Sequence, residues 1–138
     1  MKKLIALGLV LVFAMSCSLD DDNSQKYSYE ILPVASVDIP SEFKLGETYP
    51  IKVTYLRPTD CHVFKEFYYS KNLNKRTVAP ITLVYKNDSC KTLENVSANA
   101  TFNFVVTGNG SYIFKFWQGK DEAGEDQYLI IEVPVVEE

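Results

Sequence analysis

The sequence predicts an all-β fold, a single sandwich of about seven strands, and three observations carry that reading. Beyond residue 26 apolar side chains recur at every second position, the period of a half-buried strand. Clusters of Gly, Pro, Asn and Asp interrupt these runs about every ten residues, the spacing of turns between short strands. No stretch after the amino-terminal leader repeats at the period of an amphipathic helix. Eight Phe and nine Tyr give a short chain the apolar bulk for a core.

The elements follow in order. Tyr27, Tyr29 and Ile31 alternate within an opening segment, 27–34, and a short piece with Val37 and Ile39 ends at Pro40. Gly46 marks a turn, after which Tyr49, Ile51, Val53 and Tyr55 face one way until Arg57-Pro58-Thr59-Asp60. The run 62–69 is apolar on both faces, which predicts a central strand. After a polar turn over 70–75, Ile81, Leu83 and Tyr85 align, while Pro80, lacking a backbone donor, predicts an edge strand or a bulge. A long polar connection, 86–97, carries Cys90. Ala100, Phe102, Phe104 and Val106 then alternate inward, Thr107-Gly108-Asn109-Gly110 turns, and Tyr112, Phe114 and Phe116 alternate again. A charged loop, 119–126, leads to Leu129, Ile131, Val133 and Val135.

Ahead of this domain stand Lys2 and Lys3, an apolar run from Leu4 to Met15, the small residue Ser16, and Cys17. A positive start, an apolar middle and a small-residue cleavage site form the grammar of a secretory signal. The run, at roughly 18 Å as a helix, is too short to span a ~30 Å hydrocarbon core. Ala14-Met15-Ser16-Cys17 resembles the lipobox of bacterial lipoproteins. The resemblance implies a leader over 1–16, removed by cleavage, and a lipidated Cys17 beginning an acidic, flexible tether over 17–26. An ordinary signal peptide followed by a free thiol is the plainer alternative. Cys17-Ser18-Leu19-Asp20-Asp21-Asp22 is similar to the acidic cluster after the lipidated cysteine in Bacteroidetes and flavobacterial lipoproteins. That resemblance makes Asp20, Asp21 and Asp22 a surface-export signal and implies an outer-membrane lipid anchor facing the cell surface, with a periplasm-facing orientation as the alternative.

The domain itself, 27–138, resembles bacterial immunoglobulin-like modules in two places. Phe43-Lys44-Leu45-Gly46-Glu47-Thr48-Tyr49 is similar to their Gly-Glu turn into the second strand. Gly110-Ser111-Tyr112-Ile113-Phe114 is similar to their Gly-x-Tyr lead into the penultimate strand. The resemblance implies an immunoglobulin-like Greek-key sandwich; a closed barrel or a transthyretin-like sandwich fits the same runs.

Charge and cysteine content narrow the function. Removing Lys2 and Lys3 with the leader takes the formal charge from −4 to −6. An acidic domain without basic clusters is poorly built for neutralising phosphates, so nucleic acid is not an expected partner. Cys61 and Cys90 are the two thiols left once Cys17 is lipidated, and in an exported chain such a pair is expected to bond. Zinc prefers four ligands, and His62 alone would join these thiols, so no metal is expected.

Catalytic chemistry finds little support. His62, the single histidine, adjoins Cys61, but neighbours on a strand point to opposite faces. Asp121, Glu122, Glu125 and Asp126 match no calcium-loop spacing and read as a solvated hairpin tip. No enzyme is expected, and no cofactor beyond the covalent lipid on Cys17. If Tyr112, Phe114 and Phe116 point inward, then Ile113 and Trp117 point outward, and Tyr128 and Ile130 do so on the following strand. These four form the candidate binding face, joined by Phe67 or Tyr69 from the two-sided strand, unless the tether or segment 27–34 covers it. The resulting expectation is a membrane-anchored, non-enzymatic binding or accessory module for an envelope protein or component. The alternative is a glycan-capture module that uses the aromatic face.

Overall fold

The structure of the protein, a computed structural model, describes residues 26–137. The expected leader, Cys17 and Asp20, Asp21 and Asp22 lie outside the described residues. The fold is all-β, with strands β1 (Tyr27–Ile31), β2 (Val34–Asp38), β3 (Phe43–Lys44), β4 (Thr48–Leu56) and β5 (His62–Asn72). They are followed by β6 (Lys75–Tyr85), β7 (Ser97–Val105), β8 (Tyr112–Lys120), β9 (Asp126–Val133) and β10 (Val135–Val136). These ten segments exceed the expected seven or so because the opening run splits at Leu32-Pro33 and two-residue β3 and β10 pair with each other.

Two principal sheets make up the domain. The smaller has the order β2-β4-β7, antiparallel throughout. The larger has five strands around β6, which pairs with β5 on one side and with β8 and then β1 on the other; β9 flanks β8. Most pairs are antiparallel, but β6 and β8 run parallel.

The core lies where alternation placed it. Ile51 and Val53 of β4 and Phe104 of β7 cluster with Val78, Phe114, Phe116 and Val133 of the larger sheet. Phe43 from β3 enters the same cluster, its ring 5.3 Å from Phe104 and 6.1 Å from Phe114. A second cluster, Leu32, Tyr55 and Ala100, fills the end where the chain crosses from β1 to β2. The Phe43–Phe114 pair is edge-to-face, an arrangement that adds about 0.5–1.5 kcal/mol per pair beyond area burial.

Two expectations about the middle of the chain are corrected. Among the described residues β5 is an edge strand, paired only with β6, and β6 with its Pro80 is central. The missing Pro80 donor is harmless because of where it falls. β8 pairs with β6 over Lys75–Val78 and β1 pairs over Ile81–Tyr85, so Pro80 sits at the handover between them. Its carbonyl accepts the Leu32 amide at 3.0 Å, and its nitrogen, pointing the same way, meets no ladder acceptor.

Cys61 and Cys90 form a disulfide with Cα atoms 5.6 Å apart. It ties the start of β5 to the connection between β6 and β7, which also bridges at Thr59 and Thr92. The opposite end of the β5–β6 hairpin closes in a two-residue turn, Leu73-Asn74. Leu73 takes φ 56°, a left-handed conformation that L-residues other than Asn and Asp rarely adopt.

Candidate functional site

The outer face of the larger sheet is where the candidate residues meet. In the antiparallel β8–β9 register Trp117 lies opposite Tyr128, Lys115 opposite Ile130, and Ile113 opposite Glu132. Residues opposite one another share a face, so Trp117, Tyr128, Ile113 and Ile130 stand together on the side away from the core. Ile130 is 62% exposed, while Ile113, Trp117 and Tyr128 are half-buried.

Local contacts fix the aromatic rings. The Trp117 indole donates to Asp126 Oδ1 at 3.0 Å, and the Lys120 ammonium donates to the same oxygen at 3.0 Å. The Lys120 hydrogen bond, then the indole, hold the Asp126 carboxyl below its ordinary value. The Lys115 ammonium sits 4.3 Å from the centre of the Tyr128 ring, a cation–π contact that covers one of its faces.

A shallow concavity of about 260 Å³ opens beside Trp117 and Tyr128. Thr77 and Ala79 of β6 line it, with Ile31 of β1 and Tyr68 of β5 on its flanks. The expected partners Phe67 and Tyr69 point to the other side. The cause is a bulge between Phe64 and Glu66 on β5, whose extra residue reverses the alternation beyond it. Tyr68 therefore opposes Ala79 on the outer face, whereas Phe67 and Tyr69 oppose Pro80 and Val78 on the inner one. Phe67 packs there against Phe64 and Phe102, at 5.0 and 5.1 Å.

Segment 27–31 does not cover this face. It joins the sheet as β1 and brings Tyr27, Tyr29 and Ile31 beside Tyr85, Leu83 and Ile81. Tyr29 is 53% exposed, with the Lys65 ammonium 5.4 Å above its ring. The apolar surface thus runs from Ile130 across the sheet to Val63 and Tyr85.

One arrangement was not legible in the sequence. His62, buried at the start of β5, bonds Thr59 Oγ1 through Nδ1 at 2.7 Å and Glu30 Oε2 through Nε2 at 2.6 Å. Hydroxyl, imidazole and carboxylate in series are the components of a catalytic triad. Here the Thr59 oxygen also accepts the Cys61 amide at 3.2 Å, and the imidazole is buried inside a turn. The series pins β1 to the disulfide end of β5. Alternation within one strand gives no sign of a partner 32 residues away. Asp60 lies beside Cys61 and Cys90 at ligand distance, but both sulfurs are joined in the disulfide.

Comparison of the chain with family models, with curated proteins and with solved structures found no match.

Proposed function

We propose that this chain is a non-enzymatic binding module, held at the bacterial outer membrane by lipid on Cys17, that engages an envelope protein or component through the outer face of its larger sheet. The extent of that face carries the proposal. Tyr27, Tyr29, Ile31, Val63, Tyr68, Tyr85 and Ile130 are each 41–62% exposed. With ~150–250 Å² on each aromatic side chain, they leave several hundred Å² of surface in water, most of it apolar. The largest patch on a typical monomer is about 300–600 Å², and a standard interface takes ~800 Å² per partner. The charges on the face are of both signs, Lys65 and Lys115 against Glu66 and Glu132, which suits a specific partner better than an indiscriminate one.

The anchor rests on the lipobox resemblance at Cys17, and surface exposure on Asp20, Asp21 and Asp22. The finer architecture, an immunoglobulin-like Greek key, is supported by Tyr112. Its hydroxyl accepts the backbone N–H groups of Thr107 and Gly108, at 3.3 and 2.9 Å, from the corner where the chain changes sheets. A tyrosine at that corner, bonded back to upstream backbone, is a hallmark of immunoglobulin-type sandwiches. The parallel β6–β8 pair is this chain's departure from that plan.

A second reading, glycan capture, draws on the concavity itself, where Trp117, Tyr128 and Tyr68 surround a space of about 260 Å³ with Asp126 at its rim. Cross-linking in intact cells, with a photoreactive residue at Ile130 and again at Tyr29, tests the first reading. A discrete protein adduct lost in the Tyr68→Ala variant is expected. Retention on an envelope polysaccharide column without any protein adduct would replace that reading with glycan capture.

A further inference from the structure

The pole of the sandwich opposite the disulfide carries a different kind of site. The Leu73-Asn74 turn and the β7–β8 loop enclose a groove of about 370 Å³. Lys71, Leu73, Arg76, Gly108, Gly110 and Tyr112 define it, and among the described residues its lining holds two cations and no carboxylate. That is unexpected in a chain of formal charge −4.

Arg76 is the centre of the argument. Its residue is 4% exposed, and no carboxylate of the described residues pairs with it. One guanidinium nitrogen donates to the carbonyls of Leu73 and Lys75, at 2.8 and 3.0 Å. The group lies 5.2 Å from the Tyr112 ring centre and 5.7 Å from that of Phe104. The Tyr69 phenol, carbonyl dipoles and ring faces solvate the cation in part, but no negative charge among the described residues neutralises it. Burial opposes ionisation of the Tyr112 phenol, yet its net shift is downward, through hydrogen bonds from Thr107 and Gly108 and the charge of Arg76. The groove favours negative charge.

Leu73 adds a second chemistry. It is 87% exposed and left-handed at a turn position where glycine would be relaxed. The turn is nevertheless rigid, because Asn74 donates to the Ser111 carbonyl at 2.9 Å and accepts the Ile113 amide at 3.0 Å. An apolar side chain presented to water from a fixed turn, on a backbone conformation that costs energy, gives the fold nothing.

We infer that this groove is a second binding site, which takes a carboxylate from a protein partner onto Arg76 and Lys71 while Leu73 enters an apolar recess beside that carboxylate. A planar guanidinium suits bidentate capture of a carboxylate. An aliphatic knob complements an apolar protein pocket better than a sugar ring, which favours aromatic platforms. The site lies at the opposite end of β6 from β1, where the chain arrives from the amino-terminal side.

The test is a titration of the full, isotope-labelled chain followed by NMR. At constant ionic strength, acetate should shift the amides of Asn74, Gly108 and Gly110 saturably, and chloride should not. N-acetyl-leucyl-glutamate with an amidated C-terminus, which carries a single carboxylate as acetate does, should bind about tenfold tighter than acetate, the effect of one well-placed apolar side chain. Leu73→Gly should remove that advantage and leave acetate binding unchanged. A Cβ at Gly110 meets nothing within 4 Å, so Gly110→Glu should fold, fill the groove from within and abolish the acetate shifts, while Gly110→Gln should not. Shifts that match those of chloride, or that survive Gly110→Glu, overturn the site. Glucuronate binding as tightly as the dipeptide, with no dependence on Leu73, overturns the protein partner in favour of an acidic glycan.

Discussion

The two faces of the five-stranded sheet are built from alternate residues of the same strands, yet they meet different fates. Val78, Phe114, Phe116 and Val133 on the inner face are fully buried beneath the smaller sheet. Their neighbours Ile113, Trp117, Tyr128 and Ile130, with Tyr68 and β1 beside them, form a face that mixes these apolar groups with Lys65, Lys115, Glu66 and Glu132 and that no part of the described chain covers. An antiparallel sheet with one solvated face ordinarily makes that face polar. Packing explains the inner face and leaves the outer one unexplained, and the proposed partner would cover the apolar surface there.

The comparison is most sharply broken at Phe114. Phe114→Ala should cost about 3–5 kcal/mol, the range for truncating a buried aromatic. Ile130→Ala, on the other face of the next strand, should stay within about 0.5 kcal/mol. Paired chemical denaturation curves measure both. Equal losses would mean that the outer face is covered and structural.

Which β5 residues look outward depends on the register of the β5–β6 hairpin, and the Cys61–Cys90 bond clamps its open end. Closing a loop of 29 residues is worth about 3.5 kcal/mol in the chain-entropy account. Cys90→Ala should therefore lower stability by about 2–4 kcal/mol, and reduction should affect the parent but not the variant. Two thiols open to alkylation in the folded, oxidised protein would contradict the bond.

Trp117 lies between the extremes, and it shows how far alternation can be read. The inward set Tyr112, Phe114 and Phe116 follows from period two alone, and so does the outward direction of Trp117. Its half-burial does not, because that depends on Asp126 across a bulged hairpin end and on Tyr68 and Ile31 from strands distant in sequence. The same limit explains the exchanged places of β5 and β6. An apolar-on-both-faces run reads as central, but the bulge after Phe64 turns Phe67 and Tyr69 of an edge strand toward the inner side, where Phe67 is partly buried and Tyr69 rests on Phe102 while still 44% exposed. Pro80 reads as peripheral, but it occupies a gap between two partner strands that only the tertiary fold creates. Trp117→Ala should accordingly cost about 1–2 kcal/mol, more than an exposed residue and less than a core one. A loss above ~3 kcal/mol, the range of core truncations, would place Trp117 with Phe114 rather than with the proposed binding face.

The smallest effect separates an indole tied down at the surface from one buried in a core. Asp126 holds the Trp117 N–H and the Lys120 ammonium on one oxygen, and its carboxyl titrates below the ordinary 3.8 because those two donors favour its charged form. A carboxyl whose folded value is depressed contributes its stabilisation above the unfolded value and loses it as pH falls through the folded one. Trp117 emission should thus hold steady from neutral pH to about pH 4 and shift to the red below that. The global unfolding transition should barely move, since Asp126 is exposed and surface pairs contribute little. Asp126→Asn should remove the acid step in emission. A step that persists unchanged in Asp126→Asn would show that the indole reports on another group, and Trp117 would then need a different anchor on the outer face.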